Sequence, residues 1–219
     1  LSSAFMLGAI LKREDAADAF VSNKYPNISA LPENAVVGTS SPRRVAILKQ
    51  YYPQLQVKLL RGNIQTRLRK LDYNEYDAII LAVAGLKRLG LEGRITQRLD
   101  IHQFVPAIAQ GALAVEILKS RADLLNLLKP LTDKDTELEV TMERELGSKL
   151  GASCSVPIAI YAQSMGDEIH LNALIWDIDN NRRCESLVRV SKTKYEDGIN
   201  DCLRQLLEQG SGDIMARYE

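Results

Sequence analysis

The chain is short of the residues that mark several functional classes. It has one Trp, three Phe, two His and three Cys in 219 residues. The cysteines, Cys154, Cys184 and Cys202, are odd in number and have no CxxC spacing. That argues against a disulfide framework or a zinc site and fits a reducing, cytoplasmic compartment. His102 and His170 are far apart with no serine or cysteine motif beside them, so a hydrolytic triad has no support. Each reads as a surface or internally satisfied histidine. There is no GxGxxG or Walker A motif for a nucleotide. No apolar run approaches the roughly 18 residues needed to cross a bilayer. Residues 1–11 are mildly apolar but lack a basic n-region and a cleavage site, so they are not a secretion signal. The first residue is Leu rather than Met, and the chain reads as a piece of a longer protein.

Net charge is also absent: 28 basic residues balance 28 acidic ones. The balance is not local. Residues 40–100 hold twelve Lys and Arg against five Asp and Glu, a surplus of seven that the remainder reverses. A basic half in a neutral chain points to a local anionic ligand rather than to a polyanion. The plainer reading is a solvated basic helix face. Nucleic-acid binding is disfavoured, because aromatics are not interleaved with the basic residues.

Two strand–loop–helix patterns fall inside that basic half. The first is Val36-Val37-Gly38-Thr39-Ser40-Ser41-Pro42-Arg43-Arg44, and the second is Leu59-Leu60-Arg61-Gly62-Asn63-Ile64-Gln65-Thr66-Arg67. In each, an apolar run stops at small polar residues and a helical pattern follows. Helix N-termini attract carboxylate or phosphate, hydroxyls cap the helix or donate to a ligand, and arginine forks grip planar carboxylates. The two loops together predict a ligand with several negative groups.

Periodicity predicts strands at 5–11, 19–22, 36–37, 55–60 and 77–82, with helices at 42–51, 64–71 and 84–91. The run Asp77-Ala78-Ile79-Ile80-Leu81-Ala82 reads as a central parallel strand covered on both faces. Repeated βα units of this kind form a doubly wound sheet that binds ligands at the carboxyl ends of its strands. A strand-like 112–117 precedes helices at 122–128 and 133–150, the second with Asp133 as N-cap and Leu138, Met142, Glu145 and Leu146 on one face. Strands at 156–163, 168–177 and 183–190 and a helix at 195–209 complete a small α+β module. Trp176, Cys184 and Cys202 read as core side chains. Cys154 stands apart, in the small-residue loop Gly151-Ala152-Ser153-Cys154-Ser155-Val156-Pro157, where a thiol has room to be modified.

These segments, with Ala84-Gly85-Leu86-Lys87-Arg88-Leu89 and Ala109-Gln110-Gly111-Ala112, closely resemble the porphobilinogen deaminase (hydroxymethylbilane synthase) family, in order over nearly the whole chain. The resemblance implies a doubly wound, periplasmic-binding-protein-like α/β domain followed by a small α+β domain with a three-stranded sheet. It divides the chain into 1–14 (remnant of a first domain and hinge), 15–105 (second domain), 106–132 (return segment of the first domain) and 133–219 (C-terminal domain). It implies a dipyrromethane cofactor tethered through Cys154. Cofactor and substrate contacts are implied at Thr39, Ser40, Ser41, Arg43, Arg44, Arg61, Asn63, Arg67 and Arg88, with a hinge-region contact at Gln110. The implied reaction is condensation of four porphobilinogen molecules into hydroxymethylbilane with loss of ammonia, in tetrapyrrole (haem) biosynthesis. A monomer with no metal, membrane or nucleic-acid partner is implied as well. The family's catalytic aspartate lies in an N-terminal Lys-Asp motif that has no match here, so this chain alone is expected to be inactive. The chain departs from the family pattern in three places. Ala152-Ser153 replaces a usual Gly-Gly, Ala109 replaces a usual Gly, and Asn74 stands where a turn glycine is common. Glycine reaches positive φ at low cost, and Asn tolerates it better than Ala does.

Overall fold

The computed structural model describes residues 3–218. Leu1, Ser2 and Glu219, the outer ends of the first and last expected domains, lie outside them. The first layer is a five-stranded sheet in the order β4-β3-β5-β2-β6. Its strands are β2 (Asp18–Val21), β3 (Val36–Gly38), β4 (Gln56–Lys58), β5 (Ala78–Ala82) and β6 (Gln97–Arg98). β3 runs parallel to both β4 and β5, as βα connections require. β2 runs antiparallel to β5 and to β6, so the sheet is mixed rather than wholly parallel. The apolar run 77–82 could not reveal this, since burial on both faces erases alternation whatever the strand direction. Ile79, Ile80 and Leu81 of β5 are 0–2% exposed, and each such burial contributes about 1.5–3 kcal/mol.

α1 (Pro42–Tyr51) begins with Ser41 as N-cap and Pro42 in the first turn, and ends just before Pro53. α2 (Ile64–Asp72) is capped by Asn63 and turns Leu68 and Leu71 inward. α3 (Val83–Arg88) is shorter than the expected 84–91, because the chain reverses at Gly90 with φ +67°. The expected strand 55–60 is paired only over β4.

β1 (Phe5–Ile10) pairs antiparallel with β7 (Ala114–Leu118) in a separate two-stranded sheet. The expected helix 122–128 is split: its first three residues belong to 3-10 turns over Lys119–Leu124, kinked at Arg121, and its last four form one α-turn, α4 (Leu125–Leu128).

The C-terminal part is a meander of β8 (Ile158–Met165), β9 (Glu168–Asp177) and β10 (Arg182–Ser191). α5 (Lys134–Lys149), capped by Asp133, and α6 (Tyr195–Glu208) cover one face of it, and α7 (Ser211–Met215) closes the end. Ile160, Ala162, Leu171, Ala173 and Ile175 bury that face with Met142, Leu146, Cys202 and Leu206. On the opposite face Ala159, Leu174 and Trp176 join Phe20, Val37, Ile47 and Phe104 in a second core. The sheet thus seals two cores, and the Trp176 indole N–H donates to Oε1 of Gln50 on α1 at 2.8 Å. On α5 the buried acids are Glu139 and Glu143, whereas Glu145, expected to share the face of Leu138, Met142 and Leu146, is exposed.

Candidate functional site

The loop after β3 turns α1 so that Ser40, Ser41 and Arg43 face the loop of Cys154. Together with Ala107, Ile108 and Ala152 they line a cleft of about 410 Å3. Cys154 is exposed, whereas Cys184 and Cys202 are buried, as their apolar positions predict. Thr39 and Ser40 also line an adjoining groove of about 450 Å3, with Lys49 and Lys58.

Beneath the cleft lies a charge cluster that sequence reasoning missed. Asp18, at the start of β2, is fully buried. Arg43 Nη2 lies 2.8 Å from Asp18 Oδ2, and Arg44 Nη2 lies 2.7 Å from Asp18 Oδ1. Gln110 Nε2 donates to the same Oδ1 at 2.9 Å. Arg43 also donates to the Val105 carbonyl at 2.6 Å, and Arg44 to the Ile80 carbonyl at 3.1 Å. Burial opposes ionisation of Asp18, but the two guanidiniums outweigh it and hold its carboxyl below the usual range. Burial lowers Arg43 even with Asp18 against it. Two cations against one anion leave a buried surplus of one positive charge. The Nε atoms of both arginines have no hydrogen-bond partner among the described residues. The sequence signal was a lone acid opening the apolar strand Asp18-Ala19-Phe20-Val21.

The other expected contacts divide. Asn63 caps α2, its Oδ1 accepting from the Thr66 N–H at 2.8 Å, and Arg61 is exposed beside it. Arg67 donates to the Gly62 carbonyl at 2.7 Å. Burial first, and the Arg44 charge second, lower its guanidinium. Neither Arg61 nor Arg67 is among the residues lining the cleft. Arg88 donates to the Gly111 carbonyl at 2.6 Å.

Residues 109–111 join the two halves of the molecule. Arg13 donates to the Gln110 carbonyl at 3.0 Å and grips Glu143 of α5 with two bonds of 2.8 and 2.9 Å. Burial works against the Arg13 charge, but Glu143 more than compensates and raises its pKa. Gly111 has φ +86°, and a Cβ there would meet the Glu14 carbonyl oxygen at 2.5 Å. Ala109 takes φ +57° without glycine's freedom, and Asn74 takes the same φ in its turn. In the cysteine loop the positive φ falls on Gly151, at +71°, one residue ahead of Ala152-Ser153.

The fold and cleft define a two-part α/β and α+β protein with a cleft lined by both parts. An α/β unit offers a surplus of arginine charge, and an α+β unit offers an exposed thiol opposite it. Residues 1–126 match the family described as "Porphobilinogen deaminase, dipyromethane cofactor binding domain", and residues 137–208 match "Porphobilinogen deaminase, C-terminal domain". The chain belongs to the porphobilinogen deaminase family. The porphobilinogen deaminase of Burkholderia thailandensis is 52% identical over 182 residues, covering 83% of this chain and 55% of that protein. That of Laribacter hongkongensis is 44% identical over 216 residues, covering 98% of this chain and 70% of that protein. The chain therefore spans between about half and 70% of these curated relatives. The VFT2 domain of Bordetella pertussis BvgS aligns with a TM-score of 0.35 at 17% identity, covering 66% of this chain and 59% of that one. At that score the likeness carries no argument. No helix among the described residues is long and apolar enough to cross a membrane.

Proposed function

We propose that the full-length protein is a cytoplasmic, monomeric transferase that condenses four porphobilinogen molecules into hydroxymethylbilane and releases ammonia. A dipyrromethane cofactor is joined to Sγ of Cys154 by a thioether. The observation that carries this reading is the cleft of about 410 Å3 in which the exposed Cys154 faces Ser40, Ser41 and Arg43. Two linked pyrroles carry four carboxylates. The donor set fits them: two serine hydroxyls, a buried positive surplus at Arg43 and Arg44, and Arg61 and Arg67 with no carboxylate partner among the described residues. When bound, the cofactor supplies the free pyrrole carbon from which the product chain grows.

The protein's own residues orient and hold. Ser41 caps α1 and fixes the loop, while Asp18 holds both guanidiniums in place. Arg61, Asn63 and Arg67 extend the basic surface for a lengthening polyanion, and Thr39 sets the loop by accepting from the Ser41 N–H at 3.2 Å. Arg88 and Gln110 act on residues 109–111, at the junction between a first domain (1–14 with 106–132), a second (15–105) and a third (133–219). No residue here matches the family's N-terminal Lys-Asp motif, since Lys134-Asp135 opens α5 in the C-terminal part, and these 219 residues alone are expected to form no product.

The test is an intact mass of the full-length protein with mapping of the Cys154 peptide. An added mass of two linked pyrroles on that cysteine supports the reading. An unmodified Cys154 in active full-length protein overturns the tether. Without activity as well, it leaves a reversible anion-binding module.

A further inference from the structure

The three-stranded sheet has a polar patch that the cleft does not use. Register aligns two cross-strand rows on the face opposite α5 and α6. Tyr161 on β8 pairs with Asn172 on β9, and Gln163 pairs with His170. His170 in turn pairs with Arg189 on β10. His102, from the loop after β6, reaches the same place. These six residues line a cavity of about 120 Å3, which brings together the chain's two histidines, 68 residues apart in sequence.

The lining has a consistent chemistry. No Asp or Glu is part of it. Arg189 supplies a positive charge, the imidazoles supply N–H donors, and Gln163 and Tyr161 supply further polar hydrogens. Glu168 lies 3.7 Å from His170 Nε2, outside the lining. Against these donors stands one acceptor: Oδ1 of Asn172 is buried with no hydrogen-bond partner among the described residues. A buried orphan of this kind costs about 1–3 kcal/mol unless something donates to it. The volume has room for about four water molecules, enough for a five-atom ion and too little for an organic ester.

We propose that this cavity binds a small protonated oxyanion, with hydrogen phosphate as the simplest member of the class. Arg189, His102 and His170 face its charged oxygens, and Asn172 accepts from its hydroxyl. Sulfate has the same shape but no proton at neutral pH, so it leaves Asn172 unpaired. The site is separate from the Cys154 cleft and does not rest on the proposed activity.

The chain has only two histidines, so imidazole NMR signals read the site directly. Titrating the 219-residue chain with inorganic phosphate is expected to shift both imidazoles along one saturating curve. Sulfate is expected to bind about tenfold more weakly, the cost of one unpaired buried polar group. Arg189→Gln, an exposed change outside the cleft, is expected to weaken phosphate at least as much while the fold is retained. Any of three results overturns the proposal: phosphate leaves either imidazole unshifted, sulfate matches phosphate, or Arg189→Gln changes nothing.

Discussion

The backbone N–H of Ala109 donates to Oε2 of Glu143 at 2.6 Å, on the same carboxylate that grips Arg13. Glu143 also accepts from the Ala162 N–H at 2.8 Å. One buried acid thus ties residues 109–111, the chain near β1 and the three-stranded sheet to α5. Glu143→Gln leaves Arg13, whose side chain is 8% exposed, against a neutral amide, with only the longer 3.4 Å contact to the Glu139 carboxylate remaining. Urea unfolding followed by circular dichroism is expected to show a loss of about 3–5 kcal/mol. A loss under about 1 kcal/mol would mean that the ion pair does not hold this junction.

Asp18→Asn should cost a similar amount, about 3–5 kcal/mol, because it strands two buried guanidiniums. Its pH signature is distinctive. Asp18 titrates lower in the folded protein than in the unfolded chain. Its contribution is therefore fully present above the unfolded value of about 3.9 and is lost as pH falls through the folded one. Wild-type stability should drop more steeply below about pH 4 than that of Asp18→Asn. Parallel pH curves would refute this.

Ala109→Gly should stabilise the protein. A left-handed alanine costs about 1–2 kcal/mol, and glycine returns about 0.5–1 kcal/mol of that as unfolded-state entropy. A net gain of about 0.5–1 kcal/mol should raise Tm by a few degrees. A lower Tm would show that the Ala109 methyl makes a contact worth more than its strain.

The three thiols should separate by reactivity. Burial pushes Cys202 up to about 11 and raises Cys184 as well. A thiol reagent at neutral pH should find one fast group in folded, cofactor-free chain, Cys154, and none once that sulfur carries a thioether. Two fast groups would contradict the burial of the others.

Arg67→Ala should leave stability within about 0.5 kcal/mol, since it breaks no ion pair. It should weaken binding of a multiply carboxylated pyrrole about tenfold. Equal effects on folding and binding would place Arg67 with Arg43 and Arg44 as a structural cation.

Much of this was legible because local rules govern it. Ser41 and Asp133 cap the helices that their positions predict. The apolar stripes of α2 and α6 face inward, and Cys154 lies in an open loop. The direction of β2 was not legible, because a strand buried on both faces has no directional pattern. The partners of Asp18 and Glu143 were hidden for another reason. Each lies more than 20 residues in sequence from the arginine it binds, and an acid beside apolar residues reads equally well as a solvated edge. The meeting of His102 and His170 depends on strand register and one inter-element loop, which no local pattern encodes.

The pairing of β1 with β7 has a topological consequence. The Leu11 N–H donates to the Leu113 carbonyl at 2.9 Å, and the Glu14 N–H to the Gly111 carbonyl at 3.1 Å. The path from 11 to 113 therefore leaves and re-enters through one narrow neck, like a bead on a knotted thread. A bead with adjoining ends can be excised, cross-linked at the neck or recircularised without stretching its backbone.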